Sequence, residues 1–138
     1  LILWNNVAEP NWWKYISSNV LYYLCSNFPR ESAGFLVRDL NGEVCFFPIP
    51  VFSSSDHFYW DVEKFVPLLY FFHKEKYEIM ATVHSHIGDK APAQMSTADH
   101  LLHEWASFHV LVSISHSRST EYFVKFYSSQ EFIFNNKL

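Results

Sequence analysis

Basic residues are few and dispersed. Ten Lys and Arg stand against fourteen Asp and Glu, for a formal net charge of −4. No basic stripe forms, which argues against a nucleic-acid partner. Long apolar runs are also missing. None reaches the roughly 18 residues that cross a bilayer as a helix, so no membrane span is expected. No basic stretch followed by an apolar one opens the chain, and no signal peptide is expected. Cysteine is scarce. Cys25 and Cys45 lie far apart inside apolar runs and read as buried thiols suited to a reducing compartment. A disulfide between them is open but not indicated. These absences together suggest a cytoplasmic protein. Repeats, low-complexity tracts and dividing linkers are lacking too, which leaves a single domain over the 138 residues.

What the chain has in quantity is aromatic. Phe, Tyr and Trp make up 20% of it, fourteen of them Phe, within a hydrophobic share of 49% and a charged share of 17%. That is a globular composition, with enough apolar surface to build a core without staples. The surplus of rings fits a core made of Phe, and equally a surface where aromatics meet a partner.

The apolar spacing gives the elements. Trp12, Ile16, Val20 and Tyr23 recur at helical period over residues 11–28, with Asn11 as N-cap and Pro29 as the stop. Residues 33–37 read as a buried strand. Asn41–Gly42 reads as a hairpin turn, both residues tolerating positive φ, and residues 43–48 as the return strand. Residues 51–59 are Ser-rich and loop-like. A second helix is expected from Asp61 through Phe72, a strand over 77–83, and a third helix from Ser96 or Thr97. Strands over 108–114 and 122–127 close the domain. The order α-β-β-α-β-α-β-β predicts an α/β (α+β) fold, a mixed sheet flanked by helices. The core is expected over residues 11–127. Residues 128–138 are expected to form a tail whose Phe132 and Phe134 dock on something.

The chemistry concentrates in two segments, Val83-His84-Ser85-His86 and Ser96-Thr97-Ala98-Asp99. Residues two apart in a strand share a face, so His84 and His86 project together. Asp99 stands at the start of the next helix, and the loop 87–95 can fold back to bring it to the histidines. Two His and one Asp leave a tetrahedral zinc with an open position for water, as in catalytic sites. Such water loses a proton near neutral pH. Glu31, just before a buried strand, is placed to take that proton as general base. Ser96 can donate to a developing oxyanion.

Taken singly, each residue has a plainer role. A His-x-His pair arises easily by chance in a chain with eight histidines, Asp99 suits a surface helix, Ser96 an N-cap, and Glu31 an exposed charge. The ordered set is what favours a site. His100 and His103 lie near Asp99. His103, four residues on, reads as solvent-facing, as a partner behind the ligands, or as a fourth ligand.

These residues resemble the JAMM, or MPN, metalloprotease family. Glu31-Ser32-Ala33-Gly34 is similar to its Glu-x-x-Gly segment, His84-Ser85-His86 to its metal pair, and Ser96-Thr97-Ala98-Asp99 to its Ser-x-x-Asp. The resemblance covers roughly residues 11–127. It implies a fold similar to cytidine deaminases, zinc on His84, His86 and Asp99, Glu31 as acid and base, Ser96 at the oxyanion, and a peptide or isopeptide bond as substrate. Pro29-Arg30-Glu31, Asp56-His57-Phe58 and Val83-His84-Ser85-His86 look most like the phage tail assembly branch of that family. That branch implies host cytoplasm or virion tail as location. Two features depart from the pattern. Ile87 replaces the usual Pro, and the loop to Asp99 is longer than the family's usual spacing by about two residues. Extra loop length costs little. If the loop does not fold back, Asp89 becomes the substitute ligand.

A second expectation is an assembly module, in which aromatic surface binds a tail or scaffold partner and the zinc is structural or vestigial. A zinc deaminase is disfavoured, because its Pro-Cys-x-x-Cys segment is missing.

Overall fold

The computed structural model describes residues 2–53, 58–88 and 97–131. Its elements in chain order are β1 (Ile2–Val7), α1 (Trp13–Ser26), β2 (Ala33–Arg38), β3 (Val44–Ile49), β4 (Val51–Ser53), β5 (Phe58–Trp60), α2 (Val62–Lys74), β6 (Glu78–Ile87), a 3-10 helix (Thr97–Glu104), β7 (Phe108–Ile114) and β8 (Tyr122–Glu131). Six strands form one mixed sheet in the order β1-β8-β7-β6-β2-β3, and β4 and β5 form a separate ribbon. β6 and β7 pair in parallel, with antiparallel ladders on either side of them. This is the α+β architecture expected from the sequence.

Strand alternation sends side chains to two faces. Leu36, Ala81, Val83, Val110, Val112, Ile114 and Phe126 share one face, and α1 covers it with Trp13, Ile16, Val20 and Leu24. These α1 positions recur at helical spacing, which is why the segment folds as an amphipathic helix. Each such side chain, fully buried, contributes about 1.5–3 kcal/mol. The other face is covered near β2 and β3 by α2, whose Phe65 and Phe72 pack edge-on to Phe35 at 5.7 and 6.2 Å between ring centroids. Further along the same face the residues turn polar: Thr82, His84, Ser85's neighbour His86, His109 and Ser113. The site lies there.

Several expectations need correction. Residues 2–7, which carried no assignment, form an edge strand paired with β8 from Ile2↔Glu131 to Val7↔Phe126. β8 therefore runs past the point where a tail was expected. Phe132 and Phe134 lie outside the described residues. The segment 51–59, expected as loop, supplies the ribbon β4–β5 with Val51 opposite Trp60, its Ser-rich middle again outside the described residues. Asn11 is not the N-cap. Trp12 takes that position without a side-chain cap, and a backbone bond from Trp13 N–H to Pro10 O at 3.1 Å closes the first turn. At the hairpin, Gly42 has φ +83° while Asn41 does not adopt positive φ. Asp39 makes the turn instead, its Oδ1 accepting the N–H groups of Asn41 and Glu43 at 2.8 and 2.9 Å. The third helix is 3-10 throughout its eight residues.

Candidate metal centre

β6 carries both histidines at its C-terminal end, on the face away from α1. His84 stands between Ala33 of β2 and Leu111 of β7. It is fully buried, and His86, nearer the end of the strand, is partly open. Their rings meet edge to face with centroids 4.9 Å apart. The 3-10 helix brings Asp99 onto the pair. Residues three apart eclipse in such a helix, so Asp99, Leu102 and Trp105 form one stripe. Leu102 is buried, and Trp105 packs edge-on to Phe65 at 5.5 Å.

The Asp99 carboxylate, 4% exposed, bridges the histidines. Oδ1 lies 3.3 Å from His84 Nε2, and Oδ2 lies 3.6 Å from His86 Nε2. All three donor atoms fall within 4.8 Å of one another. Two ligands about 2.1 Å from one ion at a tetrahedral angle stand about 3.4 Å apart. The two carboxylate–imidazole separations are close to that edge, and with all three donors within 4.8 Å these residues form a cluster able to hold a metal ion. The loop between the ligands does return Asp99 to the histidines, and Asp89 is not needed for the set. Asp89 and Ser96 both lie outside the described residues.

Glu31 arrives beside the pair through the chain entering β2. Ser85, between the histidines, points to the opposite face. Its Oγ accepts the Ser32 N–H at 2.9 Å, and its N–H donates to Ser32 O at 3.0 Å. One residue earlier, Glu31 Oε1 accepts the Ile87 N–H at 3.4 Å. The half-buried carboxylate thus lies at the residue following His86.

Three neighbours of the cluster were not expected from the sequence. Trp60, from the ribbon, stands edge-on to His84 at 6.3 Å between centroids. Its buried Nε1 has no hydrogen-bond partner among the described residues. His109 lies on β7 opposite Thr82. Burial drives its imidazole down to about 3 from the ordinary 6.5, with His84 and His103 adding to the fall and Asp99 opposing it. Ser129 touches both His109 and His103. His103 therefore faces β8, neither solvent-facing nor among the clustered ligands. Alternation alone could have placed Thr82 on the face of His84, but nothing local marks Ser129, which meets the site only through sheet pairing.

A groove of about 780 Å³ opens at the end of β6 and β7. Gly88, Ser113, Ser115, Glu121 and Phe123 are among its walls. Ser113 is the ladder neighbour of His86, while His84, His86, Asp99 and Glu31 do not line the groove.

No family model matches the chain, and no curated protein matches it. Among solved structures, it is similar to the solution structure of a protein from Desulfitobacterium hafniense, at 20% identity and a TM-score of 0.56, covering 91% of this chain and 92% of that one. It is also similar to the solution structure of a protein from Salinibacter ruber, at 15% identity and a TM-score of 0.48, covering 88% and 89%. The first likeness shows a shared fold along nearly the whole chain, and at that identity it shows the fold alone.

Proposed function

We propose that the protein is a zinc-dependent hydrolase of JAMM type, acting on a peptide or isopeptide bond. The observation that carries this is the donor set: two imidazoles and one carboxylate with donor atoms within 4.8 Å of one another, and a second carboxylate, Glu31, beside His86. Nitrogen donors with a single carboxylate suit zinc better than the all-oxygen shells of magnesium or calcium. Zinc, when bound, supplies Lewis acidity and an acidified water. His84, His86 and Asp99 hold it, and Glu31 accepts and returns the proton. By resemblance the setting is phage tail assembly, with a tail component as substrate, and Ser96 at the oxyanion.

An assembly module remains the second reading, favoured by rings that the fold leaves outside. Tyr15, Tyr22, Tyr70 and Phe123 are each at least 69% exposed. Elemental analysis of tag-free protein separates the two at the first step. About one zinc per chain, lost in the His84→Ala, His86→Ala double variant, supports the hydrolase. A folded wild-type protein that holds no zinc after loading and dialysis rules it out.

A further inference from the structure

Four polar side chains form an unbroken chain beside the cluster, and the hydrolytic scheme uses none of them. Thr82 Oγ1 and His109 Nδ1 are 2.6 Å apart, His109 Nε2 and Ser129 Oγ 2.7 Å, and Ser129 Oγ and His103 Nδ1 2.6 Å. The first three residues are buried. Thr82 lies on β6, two residues before His84 and on its face. His103 lies on the 3-10 helix, four residues after Asp99. The chain thus starts on the strand that carries the histidines, crosses β7 and β8, and ends on the helix that carries the carboxylate.

Its hydrogens can be counted. A serine hydroxyl has one, so Ser129 donates to one imidazole and accepts from the other. His109, neutral in its buried place, likewise carries one N–H. Two orders satisfy every member: Thr82 to His109 to Ser129 to His103, or the reverse. A largely buried network whose three contacts can all be made at once is rigid. It also has something to hold. A 3-10 helix has poorer internal hydrogen bonds than an α-helix. Leu102 and Trp105 anchor it by apolar contact, which is non-directional and fixes its depth better than its rotation. A small rotation about the helix axis would swing Asp99 off the histidines.

We propose that His103 and Ser129 are positioning residues, and that the chain from Thr82 to His103 sets the rotation of the 3-10 helix so that Asp99 meets His84 and His86. This rests on the metal site proposed above. It is tested by zinc affinity, measured in competition with a chromophoric chelator, and by the visible spectrum of the cobalt-loaded protein. Ser129→Ala and His103→Ala weaken zinc binding about 10–100-fold and alter the cobalt spectrum. His103→Asn, whose amide nitrogen stands near the Nδ1 position, recovers most of the loss. Val112→Ala, a cavity on the opposite face, lowers the melting temperature and leaves zinc affinity unchanged. If Ser129→Ala does not fold, His103→Ala decides, since it leaves the sheet intact. Wild-type affinity in His103→Ala, or an equal loss in Val112→Ala, overturns the positioning role alone. A wild-type protein that binds no zinc overturns the metal site and this inference with it.

Discussion

Ser85 Oγ accepts the backbone N–H of Ser32 at 2.9 Å, so the residue between the two histidines ties down the segment that carries Glu31. Alternation along β6 does both jobs at once. His84 and His86 face the ligand side, and Ser85 faces the entry to β2. The separation of Glu31 from the cluster is therefore set by a strand ladder and not by a loop.

Glu31→Gln tests the proton-transfer role. The amide oxygen can still accept the Ile87 N–H, so the variant keeps its fold and its zinc. Cleavage falls about 10²–10⁴-fold, the range for a lost general base. Full activity in Glu31→Gln, measured against the same substrate as wild type, removes Glu31 from the mechanism.

Asp99→Ala tests the third ligand. Losing a direct ligand weakens zinc binding beyond the about 10–100-fold seen for residues behind the ligands. Chelator competition measures it. Equal zinc affinity in wild type and Asp99→Ala would show that the carboxylate only pairs with the histidines.

Gly34→Ala tests the close approach of β3 to β2. An added Cβ there would meet the Phe46 ring and come within 2.6 Å of Phe47 O. A backbone oxygen in a paired strand cannot move aside cheaply. The variant is destabilised by about 1–3 kcal/mol, read as a lower melting temperature in thermal unfolding. An unchanged melting temperature would mean that β3 shifts freely, against its full ladder with β2.

The helices and inner strands were legible because their residues repeat at the period of their element. Ile16 and Val20 fixed the buried side of α1, and the apolar block at residues 33–37 could only be an interior strand. The histidine pair was legible for the same reason. What escaped depends on partners distant in sequence. Ile2–Val7 has two Asn and only half-buried or exposed positions, and becomes a strand through β8. Trp60 sat at the edge of a Ser-rich stretch whose polarity outweighed its short β ribbon. His103 looked solvent-facing because helix geometry alone cannot reveal that Ser129 lies against it.

His109 makes acid stability measurable. Its folded pKa, about 3, is below the ordinary 6.5. The unfolded chain thus binds the extra proton first, and stability is full above about pH 6.5 and falls as pH drops toward 3. The slope from this one group approaches about 1.4 kcal/mol per pH unit inside that window. Urea unfolding of metal-free protein at several pH values measures it. His109→Gln flattens the slope relative to wild type, and an identical slope in both would mean that His109 is protonated in the fold.

The parallel pairing of β6 with β7 has a consequence for how the chain comes apart. Parallel neighbours need a crossover, and the 3-10 helix is part of it. His84 and His86 stand at the departure point of that crossover, and Asp99 is inside it. An ion shared by the three would act as a clasp, pinning the long-range connection near its base and lowering the entropy gained when it opens. Unfolding kinetics with and without zinc measure the clasp. A slower unfolding rate in zinc would mean that the crossover opens before the point of commitment, and equal rates would mean that it opens after it.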